Sequence, residues 1–279
     1  MLKKIWLVVL MAIVALTAVS QVEAVDYFID GQLYEGYDEP ELAETTATRV
    51  PIVVITDDDG YLNSAADAYS GYYRLPITYF PTVSWLGSTG FKSFARLKSL
   101  QNREKGPCEV GYHGLNHEDA ASLGYDWIVD DSQQCRTILA DNGINMSKGY
   151  APTYGSSVPE VIRRLISDGE IEYSRQAFQD GTAYNYPGTQ FDPANIAVVS
   201  VKQDVSLPTL RRLISRAVDK RLMLVLVFHK ISKLPAIGDP YDYSYRKYRK
   251  MIDHIVWHQQ ENGLQVLTLS DAVCLMKQQ

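Results

Sequence analysis

Basic charge, cysteine and long apolar runs are all in short supply in this sequence, and each shortage excludes something. Lys and Arg number 27 against 33 Asp and Glu, a formal net charge of −6 at pH 7, and the pI is near 5.4. No general basic footprint exists for a nucleic acid or another phosphate-rich partner. Three cysteines occur in 279 residues, Cys108, Cys135 and Cys274, an odd number that rules out a fully paired disulfide framework. One bridge can still form in an oxidising compartment. Cys108 with Cys135 is the pair to expect, since both flank one predicted βα unit; two buried free thiols are the alternative. The apolar run from Ile5 to about Val19 falls short of the ~20 residues that span a bilayer.

That run fits another pattern. Lys3 and Lys4 precede it, and small and polar residues ending in Val22-Glu23-Ala24 follow, which is the order of a secretory signal. Residues 1–24 are therefore expected to be a signal peptide that leaves the protein secreted or in the cell envelope; uncleaved, the segment is a membrane anchor. No cysteine follows the run to carry a lipid. Residues 25–48 are acidic, with Glu35, Asp38, Glu39, Glu41 and Glu44 around Pro40, and read as a linker or loosely held arm.

From Val50 the chain changes character. Short β-branched runs at 50–56, 75–80, 108–113, 147–152, 172–178, 195–201, 222–229 and 264–269 alternate with amphipathic stretches near 91–102, 128–142, 157–168, 207–219 and 244–262. Strands alternating with helices predict a parallel sheet, and strands that are almost wholly apolar are covered on both faces. No repeat or second composition regime interrupts this pattern. One α/β domain over residues 49–279 is the economical reading.

Chemistry-bearing residues gather just after the predicted strands. Asp57-Asp58-Asp59-Gly60 follows the first. Adjacent carboxylates repel by up to ~4 kcal/mol per close pair at an effective dielectric of about 20, so a cation is welcome there, although Asp and Gly also suit an ordinary solvated turn. His113-Gly114-Leu115-Asn116-His117 follows the third; imidazoles four apart share a face if the segment turns helically, a zinc-pair geometry. His254 and His258 have the same spacing, but by helical phase they lie off the apolar face of Tyr248, Met251, Ile252 and Ile255. They read as surface residues. The run LMLVLVF ends in His229, and Tyr150-Ala151-Pro152-Thr153-Tyr154-Gly155 closes another strand with a turn. Each feature alone has a structural explanation. Their shared place at strand C-terminal ends is what points to one active face.

These residues resemble a known family. ITDDDG is similar to the TFDDG motif of the polysaccharide deacetylase superfamily, HGLNH to its H-S/T-x-x-H motif, APTYG to its R-x-P-x-G motif and LVFH to its L-x-L-H motif, all in the family's order. QVLTLSDAV resembles its last strand and helix. The resemblance implies a distorted, TIM-like (β/α) barrel with about seven βα units. It implies Asp59, His113 and His117 as ligands of a divalent metal, zinc by preference, with nickel, cobalt or ferrous iron also compatible. Asp58 takes the place of the general base and His229 of the general acid, and the Tyr154 N–H that of an oxyanion donor.

The chain also departs from the pattern. Asp57 stands at the usual Phe position, an extra carboxylate expected to crowd the site and compete for the metal. Gly114 replaces Ser or Thr, Thr153 replaces Pro, and Ala151 stands where an arginine often orients the base. Arg175, on the next strand, is the candidate replacement, with a surface ion pair as the alternative; Asp204 is a looser candidate to orient His229. The expected activity is hydrolysis of N-acetyl groups from a surface or secreted polysaccharide. A degenerate glycan-binding protein of the same fold and a small-molecule amidohydrolase are the competing readings. Tyr61, Tyr69, Tyr72, Tyr73, Tyr241, Tyr243 and Tyr245 are candidate sugar-stacking residues.

Overall fold

The computed structural model describes residues 27–29, 32–34, 49–155, 157–175 and 183–279. The expected signal segment lies outside these residues. So does most of the acidic arm, apart from an antiparallel pairing of Tyr27–Ile29 with Gln32–Tyr34.

The centre is built on β1 (Ile52–Asp59) and β7 (Met223–Phe228), every residue of which is buried. They pair in parallel from Ile52↔Met223 to Asp57↔Phe228, the arrangement expected of the apolar runs 52–55 and Met223–Phe228. From β1 the parallel pairings pass to β2 (Thr78–Pro81) and β3 (Glu109–Val110). A bridge at Tyr112↔Tyr150 leads to β4 (Gly149–Tyr150), which pairs β5 (Tyr173–Ser174). A second bridge, Arg175↔Ile196, leads to β6 (Val199–Ser200), and β6 pairs β7. Followed this way, the chain forms a distorted seven-strand ring of α/β type in which two joins are single bridges. The short strand Tyr184–Asn185 adds an antiparallel pairing to β7.

Helices cover the outside. They are α1 (Ser64–Tyr72), α2 (Phe94–Gln101), α3 (Ala120–Asp141), α4 (Pro159–Ser167) and α5 (Leu207–Lys220). After β8 (Lys230–Ser232) and β9 (Asp242–Ser244) come α6 (Tyr245–Asn262), β10 (Gln265–Val266) and α7 (Leu269–Gln278). Helix α5 shows why such segments are legible. Ser206 caps it, proline sits in its first turn, and Leu210, Leu213, Ile214, Ala217 and Val218 form its buried stripe. Helix α1 lacks that stripe: its buried residues are Ala66, Asp67 and Ser70, so apolar periodicity does not reveal it. Helix α3 takes in a short turn ahead of the predicted 128–142 stretch, and Gly124, at φ 77°, breaks the regular geometry between the two parts. Among the described residues no helix is long and apolar enough to cross a membrane.

Three sequence expectations are corrected. Cys108 and Cys135 are buried free thiols: the Cys108 sulfur lies 2.7 Å from Arg103, and Cys135 faces Asp131. His258 is not a surface residue. It is buried against α5, where Ser215 Oγ lies 3.1 Å from its Nε2 and 3.2 Å from that of the half-buried His254. Asp204 stands exposed in the turn after β6, and the charges that act on His229 are those of Asp58, Asp59, His113 and Arg175.

Candidate active site

The ends of β1, β3, β4 and β7 open on a cavity of about 380 Å³, lined by Asp58, Asp59, Tyr61, His113, His117, Pro152, Tyr154, Gly155, His229, Asp239 and Tyr241. The backbone there is unusual. Asp59, His117 and Tyr154 hold φ values of 62°, 62° and 57°, a left-handed conformation that costs a non-glycine residue of order 1–3 kcal/mol. Such strain persists where the surroundings over-determine it, and it gathers at functional sites.

Asp59 leaves β1 at the last position and aims Oδ1 at two imidazoles, 3.3 Å from His113 Nε2 and 3.2 Å from His117 Nε2. His113 Nδ1 lies 2.6 Å from the Ala151 carbonyl. A carbonyl only accepts, so Nδ1 carries the hydrogen and the neutral ring turns its Nε2 lone pair toward Asp59. Asp59 Oδ1 is buried without a hydrogen-bond partner. Asp59 Oδ1 and the two Nε2 atoms thus face one another, and the ligand atoms of Asp59, His113 and His117 lie within 4.8 Å of one another. The donor set and the orphaned oxygen fit a divalent cation. Without one, burial acts to lower the His113 pKa, but Asp59 and Asp58 overcome it and the net direction is up. For Asp59, burial acts upward, and His113 and His117 pull the pKa well below the usual carboxylate range.

Asp58 is buried beside this set. One oxygen pairs with the Arg175 guanidinium, and the other faces His229 Nε2 at 3.9 Å. Arg175 is itself only 1% exposed and lies over the Phe80 ring. It is not the surface ion pair weighed as the alternative. Burial holds the His229 pKa below its ordinary value, against the upward pull of Asp58 and Asp59. The His229 ring packs against Tyr241 at 4.7 Å.

Asp57 corrects an expectation. Its carboxylate turns away from the ligand set, accepting 2.7 Å from Asn63 Nδ2 and lying 3.4 Å from Lys92 Nζ. Burial still pushes its pKa up to about 7, against the pull of Lys92. It therefore neither crowds nor competes for the metal position.

The histidine loop has supports that motif reading missed. Asp131 Oδ2 accepts from Tyr112 Oη at 2.7 Å and from the Leu115 N–H at 2.9 Å. Thr153, the departure from proline, donates its hydroxyl to the Glu118 carbonyl. The Trp85 ring stacks on His117 at 5.2 Å, and the Tyr154 ring meets it edge-on at 4.6 Å. No local pattern marks Asn63, Lys92, Asp131 or Trp85, because each acts through residues distant in sequence. Of the tyrosines considered for stacking, Tyr61 and Tyr241 line the cavity, whereas Tyr243 is buried.

A family model described as polysaccharide deacetylase matches residues 45–173, a span holding the Asp57–Gly60, His113–His117 and Ala151–Gly155 segments. Over that span the chain resembles the polysaccharide deacetylases. Solved structures share the deacetylase fold at low identity. A putative polysaccharide deacetylase from Mycobacterium smegmatis superposes with a TM-score of 0.61 at 12% identity, covering 87% of this chain and 95% of that one. A family 4 acetyl xylan esterase from Clostridium thermocellum, in complex with a cobalt ion, gives 0.50 at 13% identity, covering 80% and 91%. A CE4 family pseudoenzyme from Bacillus anthracis gives 0.51 at 14% identity, covering 80% and 66%. No curated protein sequence matches the chain significantly. The comparisons thus show a deacetylase-like fold, and the pseudoenzyme among them shows that this fold alone does not guarantee turnover.

Proposed function

We propose that this protein is a polysaccharide deacetylase, a metal-dependent hydrolase that removes N-acetyl groups from N-acetylhexosamine units of an extracytoplasmic polysaccharide. The observation that carries the reading is Asp58. It is buried between Arg175 and His229, immediately next to the Asp59–His113–His117 cluster.

Asp59, His113 and His117 would hold the ion. A divalent ion in such a site supplies Lewis acidity for the acetyl carbonyl and makes water a better nucleophile near neutral pH. Zinc is the first choice; nickel, cobalt and ferrous iron suit the same ligands.

The side chains supply the rest. Arg175 fixes one Asp58 oxygen and leaves the other toward the cavity, where it takes a proton from the attacking water. The Tyr154 N–H donates to the developing oxyanion. His229, on the far side of Asp58, delivers a proton to the departing nitrogen as the C–N bond breaks. Acetate and a free amino sugar are the products. Tyr61, Tyr154 and Tyr241 give the cavity walls that suit sugar rings.

Ala151 is the feature that favours a non-catalytic glycan binder, because an arginine often stands there. Arg175 meets Asp58 from the neighbouring strand and answers that objection chemically. Acetate release from a panel of N-acetylated oligosaccharides, with and without chelator, tests the reading. Chelator-sensitive release supports it; glycan binding with no release by metal-loaded protein overturns it.

A further inference from the structure

Asn63 lies just before α1, at the cap position where asparagine ordinarily accepts from an N–H of its own helix. Here its side chain makes no such bond. It is 2% exposed, and its amide is spent elsewhere. Nδ2 donates to Asp57 Oδ2 at 2.7 Å and to the His229 carbonyl at 2.6 Å, while Oδ1 accepts from the Ile231 N–H at 2.8 Å.

Those last two contacts grip the chain at one connection and just beyond it. Strand β7 ends at Phe228 and β8 starts at Lys230, so His229 is the only residue between them. The grip is anchored from beneath. Asp57 orients the Asn63 amide, and Lys92, with no exposed surface, lies 3.4 Å from Asp57 and donates to the Tyr61 carbonyl at 2.6 Å. A buried amide with its hydrogen-bonding groups matched on both sides is a rigid support.

We propose that Asn63 is a positioning residue for His229, holding the β7–β8 connection so that the imidazole stays between Tyr241 and Asp58. The role as a support of catalysis rests on the function proposed above; the mechanical role does not. It also assigns a purpose to Asp57, the carboxylate at the family's usual Phe position: it faces the clamp, not the metal ligands.

The test uses the full-length, metal-loaded protein. Asn63→Ala is expected to lower kcat about 100-fold, the scale for a misplacement of about 1 Å, with KM and metal content near those of the wild type. Because a buried substitution can also lower stability, the exchange Asp57→Asn/Asn63→Asp provides a second reading. It restores an amide–carboxylate bond between the two positions and keeps an acceptor for the Ile231 N–H, but it gives the His229 carbonyl no donor. The melting temperature is therefore expected to recover relative to Asn63→Asp alone, while kcat stays low. A kcat that recovers together with the melting temperature overturns the proposal, because Asn63 is then merely structural.

A readout without turnover separates this inference from the function it rests on. The chain has five histidines, so ¹⁵N-histidine spectra with a His229→Gln assignment variant resolve the His229 ring. In Asn63→Ala that ring signal is expected to shift or broaden, and a crystal structure to show the imidazole displaced from Tyr241. A ring that stays in place sinks the clamp even if the enzyme is active. A wild type that releases no acetate sinks the hydrolase reading and leaves the displacement still to be read.

Discussion

Arg175 and Asp58 stand 117 residues apart in sequence and meet as an ion pair in which neither side chain has more than 2% of its surface exposed. Burying two charges is costly, and removing one partner leaves the other uncompensated, which typically costs 3–5 kcal/mol. Arg175→Ala is therefore expected to lower the melting temperature and to depress kcat more than KM. Arg175→Lys, a point charge without the planar fork, should recover part of the stability and less of the rate. Thermal melting alongside acetate release reads both; wild-type rates in Arg175→Ala remove its role on Asp58.

Metal content divides the adjacent carboxylates by task. The wild type is expected to carry about one divalent ion per chain, and Asp59→Ala or His113→Ala to carry none. Asp58→Ala should retain the ion and lose acetate release. Elemental analysis of the purified proteins checks the first statement, and single-turnover assays the second. Asp58→Ala with unchanged turnover means the base is another group.

Tyr154 allows backbone and ring to be separated. Its φ of 57° suits glycine, and Tyr154→Gly keeps the N–H assigned to the oxyanion. Relief of about 1 kcal/mol of strain should roughly offset the greater freedom of the unfolded chain, so the melting temperature is expected to hold. The ring that packs on His117 and walls the cavity is lost, and kcat/KM should fall about tenfold, or 1.4 kcal/mol. Unchanged kcat/KM would show that the ring is a bystander.

His254 and His258 give a pH-dependent contribution to stability far from the cavity. Burial lowers both pKa values from the ordinary 6.5; His258 adds to the effect on His254, and Asp219 opposes it on His258. The unfolded chain then binds more protons than the folded one just below 6.5, so stability is complete above that value and declines as pH falls through it. Melting curves between about pH 7 and about pH 5 should show a steeper loss in the wild type than in His254→Gln/His258→Gln. Equal slopes would rule out this linkage.

The sequence carried the elements whose chemistry is local. An apolar strand running into Asp57-Asp58-Asp59-Gly60, or a capped stripe such as Leu207–Lys220, declares itself within a few residues, and the strand-end rule then gathers the site. Helix α1 was illegible because its inward face is polar, satisfied by long-range partners: Asp67 by Tyr79 and Arg96, Ser70 by Tyr248. The role of Asp57 is hidden for a related reason. A carboxylate beside a ligand looks like a competitor until Lys92, 35 residues on, is seen to meet it. Helical phase within α6 does not reveal the burial of His258, because its cover comes from Ser215 on α5.

The Asp57–Lys92 contact also constrains how this protein can change over time. Phenylalanine at 57 would leave the Lys92 ammonium sealed in the interior with Asp67, 3.8 Å away, as its nearest carboxylate. Loss of Lys92 alone would instead leave the buried Asp57 carboxylate without its cation, with the Asn63 amide still donating to it. Either single step passes through an intermediate less fit to fold, so the two positions are expected to be inherited or replaced as a unit.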